Sequence, residues 1–153
     1  MMRFTFWMKG KPLNILFLCT GNSCRSQMAE GWAKALKNDV IQAYSAGVET
    51  HGMNPHAIQV MDEAGVDISG HHSKLLTELS NITFDFVVTV CDRAKESCPV
   101  FPAKAKVVAH CFDDPPAMAA EADSPEEALE NYRRVRDEIK AYVLSLPHSL
   151  NQE

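Results

Sequence analysis

The chain has 153 residues, a length typical of one domain that can bury a hydrophobic core. Charged residues make up 23% and the net charge is −5, which gives no general attraction to nucleic acid or to anionic membranes. No apolar run approaches the roughly 18 residues of a membrane helix, and residues 1–12 lack a signal-peptide cleavage site. We therefore expect a cytoplasmic protein with no nucleic-acid or membrane partner.

Predicted strands and helices alternate along the chain. They are a strand at 13–18, a helix from about residue 26, a strand at 40–46, a helix from Pro55 to just before Gly65, a strand at 84–90, a short strand at 106–109, and a helix beginning at Pro125 and ending before Pro147. The last helix has the clearest start, because Ser124 and Glu127 form a capping-box pattern around Pro125.

This alternation predicts an α/β fold, a single domain with a four-stranded parallel sheet and helices on both faces. We expect an N-terminal extension at 1–12, the domain at 13–147 and a C-terminal tail at 148–153. In such sheets the binding crevice lies beyond the carboxyl ends of the strands. The loop after the first strand and Cys91, after the third, should therefore lie close together.

The first loop carries a C-x5-R pattern from Cys19 to Arg25. A short loop at a helix N-terminus can direct its backbone N–H groups at an oxyanion, and a guanidinium can bind two of the oxygens. Gly21 and Asn22 tolerate the left-handed backbone that such a loop needs. The positive potential should also lower the pKa of Cys19, so we expect a thiolate there, poised to attack the anion.

Five cysteines in a chain with no export signal favour redox or catalytic roles over structural disulfides. None shows C-x2-C spacing, so we expect no metal site. If residues 91–98 were helical, the Cα atoms of Cys91 and Cys98 would lie roughly 10 Å apart, beyond the ~7 Å that a disulfide allows. This polar segment would have to unwind before the two could pair. Cys24 and Cys111 are expected to be structural.

The sequence FLCTGNSCRSQMAEG at 17–31 resembles the opening of the arsenate reductases built on the low-molecular-weight tyrosine phosphatase fold. The resemblance continues at residues 44–47, 66–69, 87–91, 112–115 and 134–139, and spans roughly 13–145. The phosphatases share the loop, so a low-molecular-weight protein tyrosine phosphatase acting through a Cys19 phosphocysteine remains the alternative. Pro116 and Ala117 stand where such phosphatases usually carry an aromatic residue.

The resemblance implies reduction of arsenate to arsenite by a relay of three cysteines. Cys19 would attack arsenate, and Cys91 would then form a disulfide with Cys19. Cys98 would next attack Cys91, and the resulting Cys91–Cys98 disulfide would be exposed for reduction by thioredoxin. Asp114 matches the general acid of the family. With Arg25 and the three cysteines, it completes the five implied catalytic residues. The implied oxyanion-binding residues are Thr20, Gly21, Asn22, Ser23, Cys24, Arg25 and Ser26.

The resemblance also implies a monomer without a cofactor, for which phosphate and sulfate are competing anions. Some relatives bind potassium through residues matching Asn22, Glu30 and Ser45 together with an aspartate. Lys74 stands in place of that aspartate here. Its ammonium group either replaces the ion or is an ordinary surface charge.

Overall fold

The structure, a computed structural model, describes residues 11–96 and 105–152. Its strands are β1 (Leu13–Cys19), β2 (Ile41–Gly47), β3 (Phe86–Thr89) and β4 (Lys106–Ala109). Its α-helices are α1 (Arg25–Leu36), α2 (Pro55–Glu63), α3 (Asp92–Glu96), α4 (Pro115–Ala120) and α5 (Pro125–Leu144). Two 3-10 helices cover Leu76–Leu79 and His148–Gln152.

The four strands form one sheet in the order β2-β1-β3-β4, and each neighbouring pair is parallel. In β1 the residues Ile15, Leu16, Phe17 and Leu18 are all fully buried. Successive side chains of a strand point to opposite faces, so both faces of this central strand are covered. The predicted fold class, a single α/β domain on a parallel sheet, is confirmed.

Helix α5 begins as its sequence indicates. The Ser124 hydroxyl accepts a hydrogen bond from the Glu127 backbone N–H at 3.1 Å, which satisfies one of the N–H groups that a helix start leaves free. Its buried stripe includes Tyr132, Val135, Ile139 and Val143, as the helical spacing predicts. This stripe packs against α1 and α2 and closes the core.

The C-terminal segment is folded rather than a free tail. Residues after Pro147 form the 3-10 helix His148–Gln152, and Leu150 is fully buried because it joins the hydrophobic core. The Leu150 carbonyl also accepts a hydrogen bond from Lys106 Nζ at 3.2 Å. Packing therefore continues beyond the boundary at 147 that the sequence suggests. The predicted extension at 1–12 lies almost entirely outside the described residues.

The carboxyl edge of the sheet gathers the polar loops. Cys19 at the end of β1 pairs with Gly47 at the end of β2, and Val90 N–H bonds to the Leu18 carbonyl at 2.9 Å. The loop after β1 and the residues after β3 therefore start side by side. Among the described helices, none combines the length and the apolar character needed to cross a membrane.

Candidate active site

The loop from Cys19 to Arg25 joins β1 to α1 at this edge. Asn22 has φ of +48°, in the left-handed region where asparagine is one of the tolerated residues, whereas Gly21 does not adopt a positive φ. Of the two residues that tolerate a left-handed backbone, Asn22 therefore adopts it and Gly21 does not. Gly21 is needed for space, since a Cβ there would lie 2.2 Å from Nδ1 of His51.

Asn22 braces the loop from within. Its fully buried side-chain amide donates to Ser26 Oγ at 2.9 Å, and its Oδ1 accepts from Gln27 Nε2 and from the Lys74 backbone N–H, both at 2.9 Å. Buried polar groups cost free energy unless they are paired, so this network favours one loop conformation. Neither Asn22 nor Ser26 lines the cleft; both are structural supports of it.

The segment after β2 holds the loop from outside. Backbone N–H groups of Val48, Glu49 and His51 donate to the carbonyls of Cys19, Thr20 and Gly21 at 3.3, 2.9 and 3.0 Å. Gly47 allows this close approach, because a Cβ on it would lie 2.4 Å from the Glu49 carbonyl oxygen.

A cleft of about 500 Å³ opens above the loop. It is lined by Cys19, Thr20, Gly21, Ser23, Cys24, Arg25, His51, Cys91, Asp92, Arg93, Asp114 and Pro116. Five of the seven predicted oxyanion-binding residues line this cleft, namely Thr20, Gly21, Ser23, Cys24 and Arg25. Residues that lie far apart in the sequence therefore meet at one opening.

Arg25 is held in place on the cleft wall. Its Nη1 donates to the Phe112 carbonyl at 2.9 Å, and its Nη2 lies 3.8 Å from Oδ1 of Asp114. The Phe112 ring packs edge-on against Tyr142 with 5.9 Å between centroids, which fixes the position of that carbonyl. The guanidinium is thus oriented before any anion arrives, and Asp114 stands beside it at the opening.

Cys19 and Cys91 form a hydrogen-bonded pair of thiols. Cys91 Sγ also lies 3.1 Å from Thr20 Oγ1 and accepts from the Ala94 backbone N–H at 3.4 Å. The hydrogen bond from Cys19, helped by the one from Thr20, lowers the pKa of Cys91 to about 5. The same bond to Cys91, together with burial, raises the pKa of Cys19, although the nearby Arg25 opposes the rise.

The contact between the two thiols therefore favours a thiolate on Cys91 and disfavours one on Cys19. For Cys19 this direction is opposite to the expected lowering of the pKa, because the contact with Cys91 and burial outweigh the positive charge of Arg25. The structure brings together the site residues predicted at positions 19, 25, 91 and 114. Cys98 lies outside the described residues.

Residues 14–153 match the family model for low molecular weight phosphotyrosine protein phosphatase. The chain belongs to this family.

Two curated relatives sharpen the comparison. The chain is 49% identical to arsenate reductase 1 of Staphylococcus epidermidis over 134 residues, which cover 88% of this chain and 95% of the relative. It is also 49% identical to an arsenate reductase of Staphylococcus aureus strain Newman over 129 residues, covering 84% and 92% of the two chains.

Solved structures give the same picture. An arsenate reductase in the phosphate-binding state matches with a TM-score of 0.71 at 32% identity, covering 88% of this chain and 95% of that one. The YwlE arginine phosphatase from Geobacillus stearothermophilus matches with a TM-score of 0.69 at 26% identity, covering 92% and 94%. Reductases and phosphatases therefore both share this fold.

Three residues at the mouth of the cleft escape the sequence analysis. Glu49 bonds to His51 Nε2 at 2.5 Å and to Arg93 Nη2 at 2.7 Å. This contact connects the segment after β2 to helix α3. No local pattern could have revealed the link to Arg93, because Arg93 comes near Glu49 only through the tertiary fold.

A cluster around Glu30 supports the back of the loop. Glu30 accepts from Ser45 Oγ at 2.5 Å and pairs with Lys34 at 2.6 Å, and Lys74 Nζ lies 3.9 Å from Oε1. Burial disfavours the charge on Glu30, yet its hydrogen bonds to Lys34 and Ser45 keep its pKa below the usual value. Lys74 also donates from Nζ to the His72 carbonyl at 3.2 Å. Its ammonium group therefore lies among these acceptors.

Proposed function

We propose that this protein is an arsenate reductase that reduces arsenate to arsenite through a relay of cysteines. The observation that carries the proposal is that Cys19 and Cys91 line the same cleft beside Arg25, close enough for each thiol to shift the pKa of the other. A phosphatase needs one nucleophile, whereas a reductase must deliver two electrons and needs a second thiol within reach of the first. The curated relatives at 49% identity, both arsenate reductases, support this choice.

In this proposal the anion loop binds arsenate. The N-terminus of α1 supplies positive potential, and the oriented guanidinium of Arg25 binds two oxygens of the tetrahedral anion. Phosphate and sulfate have similar shape and charge, so they compete for the same place. The related structure in a phosphate-binding state is consistent with such competition.

The first step is attack by Cys19 sulfur on arsenic. The proton on Cys19 passes along the hydrogen bond to Cys91, which leaves the nucleophilic thiolate facing the anion. A bond forms between Cys19 sulfur and arsenic while one oxygen leaves. Asp114, at the mouth of the cleft, protonates that oxygen so that it departs as water.

The second step transfers electrons. Cys91 gives its proton to an oxygen of the bound arsenic group and, as thiolate, attacks the sulfur of Cys19, and the sulfur–arsenic bond breaks. Its electron pair stays on arsenic, which leaves as arsenite, and the two thiols end as a Cys19–Cys91 disulfide. Two electrons from the two sulfurs thus balance the reduction of As(V) to As(III).

In the third step Cys98 attacks Cys91 and regenerates Cys19, and thioredoxin reduces the resulting Cys91–Cys98 disulfide. Helix α3 begins directly after Cys91, so its opening is part of this step. The scheme needs a compartment that keeps thiols reduced, and we therefore place the protein in the cytoplasm. All cysteines of the relay belong to one chain, and we propose that the protein acts as a monomer.

The second candidate is a low-molecular-weight phosphatase that acts through a phosphocysteine on Cys19. The family model and the arginine phosphatase among similar structures favour it. Against a tyrosine phosphatase stands Pro116 at the cleft, where an aromatic side chain would be needed to pack on the substrate ring.

A coupled assay with arsenate, thioredoxin, thioredoxin reductase and NADPH separates the two candidates. Cys19→Ser should abolish both arsenate-dependent NADPH oxidation and hydrolysis of a small aryl phosphate. Cys91→Ser should lower arsenate turnover by more than about 100-fold while aryl phosphate hydrolysis stays within about threefold of the parent. Equal loss of both activities in Cys91→Ser, or arsenate turnover that survives it, would reject the reductase relay.

A further inference from the structure

Cys111 lies next to Cys91 at the carboxyl edge of the sheet. Strands β3 and β4 are paired up to Thr89 and Ala109, and the backbone contact continues beyond both ends. The His110 N–H donates to the Thr89 carbonyl at 2.9 Å, and the Phe112 N–H donates to the Val90 carbonyl at 3.0 Å. Cys111 lies between these two hydrogen-bonded residues and next to Thr89 and Val90, which directly precede Cys91.

Extended by two residues, the register of β3 and β4 sets Cys111 opposite Cys91. Neighbouring strands lie about 4.8 Å apart, and a disulfide tolerates Cα separations up to about 7 Å. The thiol of Cys111 is exposed and shares a hydrogen bond with Asp92, the residue that follows Cys91. Its side chain therefore lies on the side where helix α3 begins.

The strand order adds a directional argument. Cys19 ends β1, Cys91 follows β3 and Cys111 follows β4, and β3 lies between β1 and β4 in the sheet. Cys91 is therefore flanked by Cys19 on one side and by Cys111 on the other. Thiol–disulfide exchange proceeds through three sulfurs in a nearly straight row, with the attacking and leaving sulfurs on opposite sides.

We propose that Cys111 is a second resolving cysteine, which attacks Cys91 in the Cys19–Cys91 disulfide. The Cys111 thiolate forms a bond to Cys91 sulfur, the bond from Cys91 to Cys19 breaks, and Cys19 leaves as thiolate. One disulfide is exchanged for another, so no further oxidant is required. The inference rests on the proposed reductase function, which supplies the Cys19–Cys91 disulfide.

This route differs from the one through Cys98 in what must move. The route through Cys98 requires the helix Asp92–Glu96 to open, because a helical spacing over seven residues, roughly 10 Å, exceeds the ~7 Å between Cα atoms that a disulfide allows. Cys111 approaches from β4 and leaves that helix in place. Burial and the hydrogen bond to the Asp92 carboxylate raise the pKa of Cys111, so the route should become faster as the pH rises. The resulting Cys91–Cys111 disulfide has one exposed sulfur, which thioredoxin can attack.

The first test uses variants that lack Cys98. Cys98→Ser is treated with arsenate, quenched by alkylation, and its disulfides are mapped by peptide mass spectrometry beside Cys98→Ser/Cys111→Ser. We expect a Cys91–Cys111 disulfide in the single variant and only Cys19–Cys91 in the double variant. Thioredoxin-driven turnover in the double variant should fall at least about tenfold below that of Cys98→Ser. Identical Cys19–Cys91 products and equal turnover in the two variants would overturn the proposal.

The second test needs no arsenate and therefore separates this inference from the proposed function. Cys19→Ser/Cys98→Ser is equilibrated with reduced and oxidised glutathione, and the Cys91–Cys111 disulfide is quantified by mass. We expect an internal disulfide to form, and none in the matched variant that also carries Cys111→Ser. Only mixed disulfides with glutathione would overturn the inference. If the disulfide forms while arsenate yields no Cys19–Cys91 bond in Cys98→Ser/Cys111→Ser, the reductase proposal fails instead.

Discussion

The anion loop and helix α3 lie on opposite sides of one cleft and are built in different ways. The loop is held by the buried side-chain network of Asn22 and by three backbone bonds from the segment after β2. Helix α3 is a short helix, Asp92–Glu96, connected through an exposed ion pair of Arg93 with Glu49 and the contact of the Ala94 N–H with Cys91 sulfur.

The difference matches the two tasks in the proposed relay. Binding an oxyanion requires donors that are fixed before the ligand arrives. Passing a disulfide onward from Cys91 requires a segment that can move. When Cys91 enters a disulfide it is no longer a thiolate, so it accepts a weaker bond from the Ala94 N–H. The chemistry itself thus loosens the start of α3.

The largest expected effect comes from removing the brace of the loop. Asn22→Ala removes the acceptor of the Lys74 backbone N–H and one of the acceptors of the buried Gln27 amide, and it places alanine at a positive φ. We expect a loss of about 3 kcal/mol in the free energy of unfolding, together with loss of phosphate binding. Chemical denaturation and phosphate titration measure these two effects.

The exposed Asn38 offers a matched control. Asn38→Ala should change stability by less than about 0.5 kcal/mol. An Asn22→Ala protein with the stability and phosphate affinity of the parent would show that the loop does not depend on this network.

The next effect concerns the shared proton. The thiolate signal of the parent in ultraviolet absorbance should disappear as the pH falls through about 5, because the pKa of Cys91 is lowered to about 5 by its bond to Cys19. In Cys19→Ser the main cause of that lowering is gone, and the midpoint should move towards the ordinary thiol value of about 8.5. Unchanged midpoints in the two proteins would contradict a shared proton.

A smaller effect should follow release of α3. Arg93→Gln removes the ion pair with Glu49 and leaves the loop contacts intact. Amide hydrogen exchange in residues 92–96 should become about threefold faster, with no change in the loop at 20–25. Arg134→Gln, which removes the exposed pairs with Asp113 and Glu138, should leave both segments unchanged. Faster exchange in the loop rather than in the helix would contradict the view that the anion loop is fixed and that helix α3 can move.

The smallest expected effect is that of potassium. Lys74 Nζ lies 3.9 Å from Glu30 Oε1 and bonds to the His72 carbonyl, so an ammonium group already occupies the space among these acceptors. Replacing sodium by potassium at constant ionic strength should alter the rate of arsenate reduction by less than about twofold. A strong activation by potassium would show that Lys74 is only a nearby surface charge.

The sequence predicts the framework because its signals are local. The apolar run before Cys19, the caps of α5 and the alternation of strand and helix depend on neighbours in the chain. Helix α4 is not among the predicted elements although its signal is present, since Pro115 and Pro116 follow Asp114 as prolines do in a first helical turn. Helix α3 has no clear sequence signal, because it is short and lacks an apolar stripe.

The arrangement of the cleft depends on long-range contacts, which local patterns do not contain. The raised pKa of Cys19 depends on Cys91, 72 positions away in the chain, and the orientation of Arg25 depends on the Phe112 carbonyl. His51 lines the cleft only because Gly21 leaves room for its ring. The sequence could name the reacting residues, but not how their charges are shared.

The central claim is tested most directly by a single turnover in Cys98→Ser/Cys111→Ser, in which later exchange steps are removed. The protein is mixed with excess arsenate in the absence of thioredoxin, arsenite is quantified, and the disulfides are mapped after an alkylating quench. The account predicts one arsenite and one Cys19–Cys91 disulfide per protein molecule. Arsenite without that disulfide, or an oxyanion adduct on Cys19 that never yields arsenite, would contradict it.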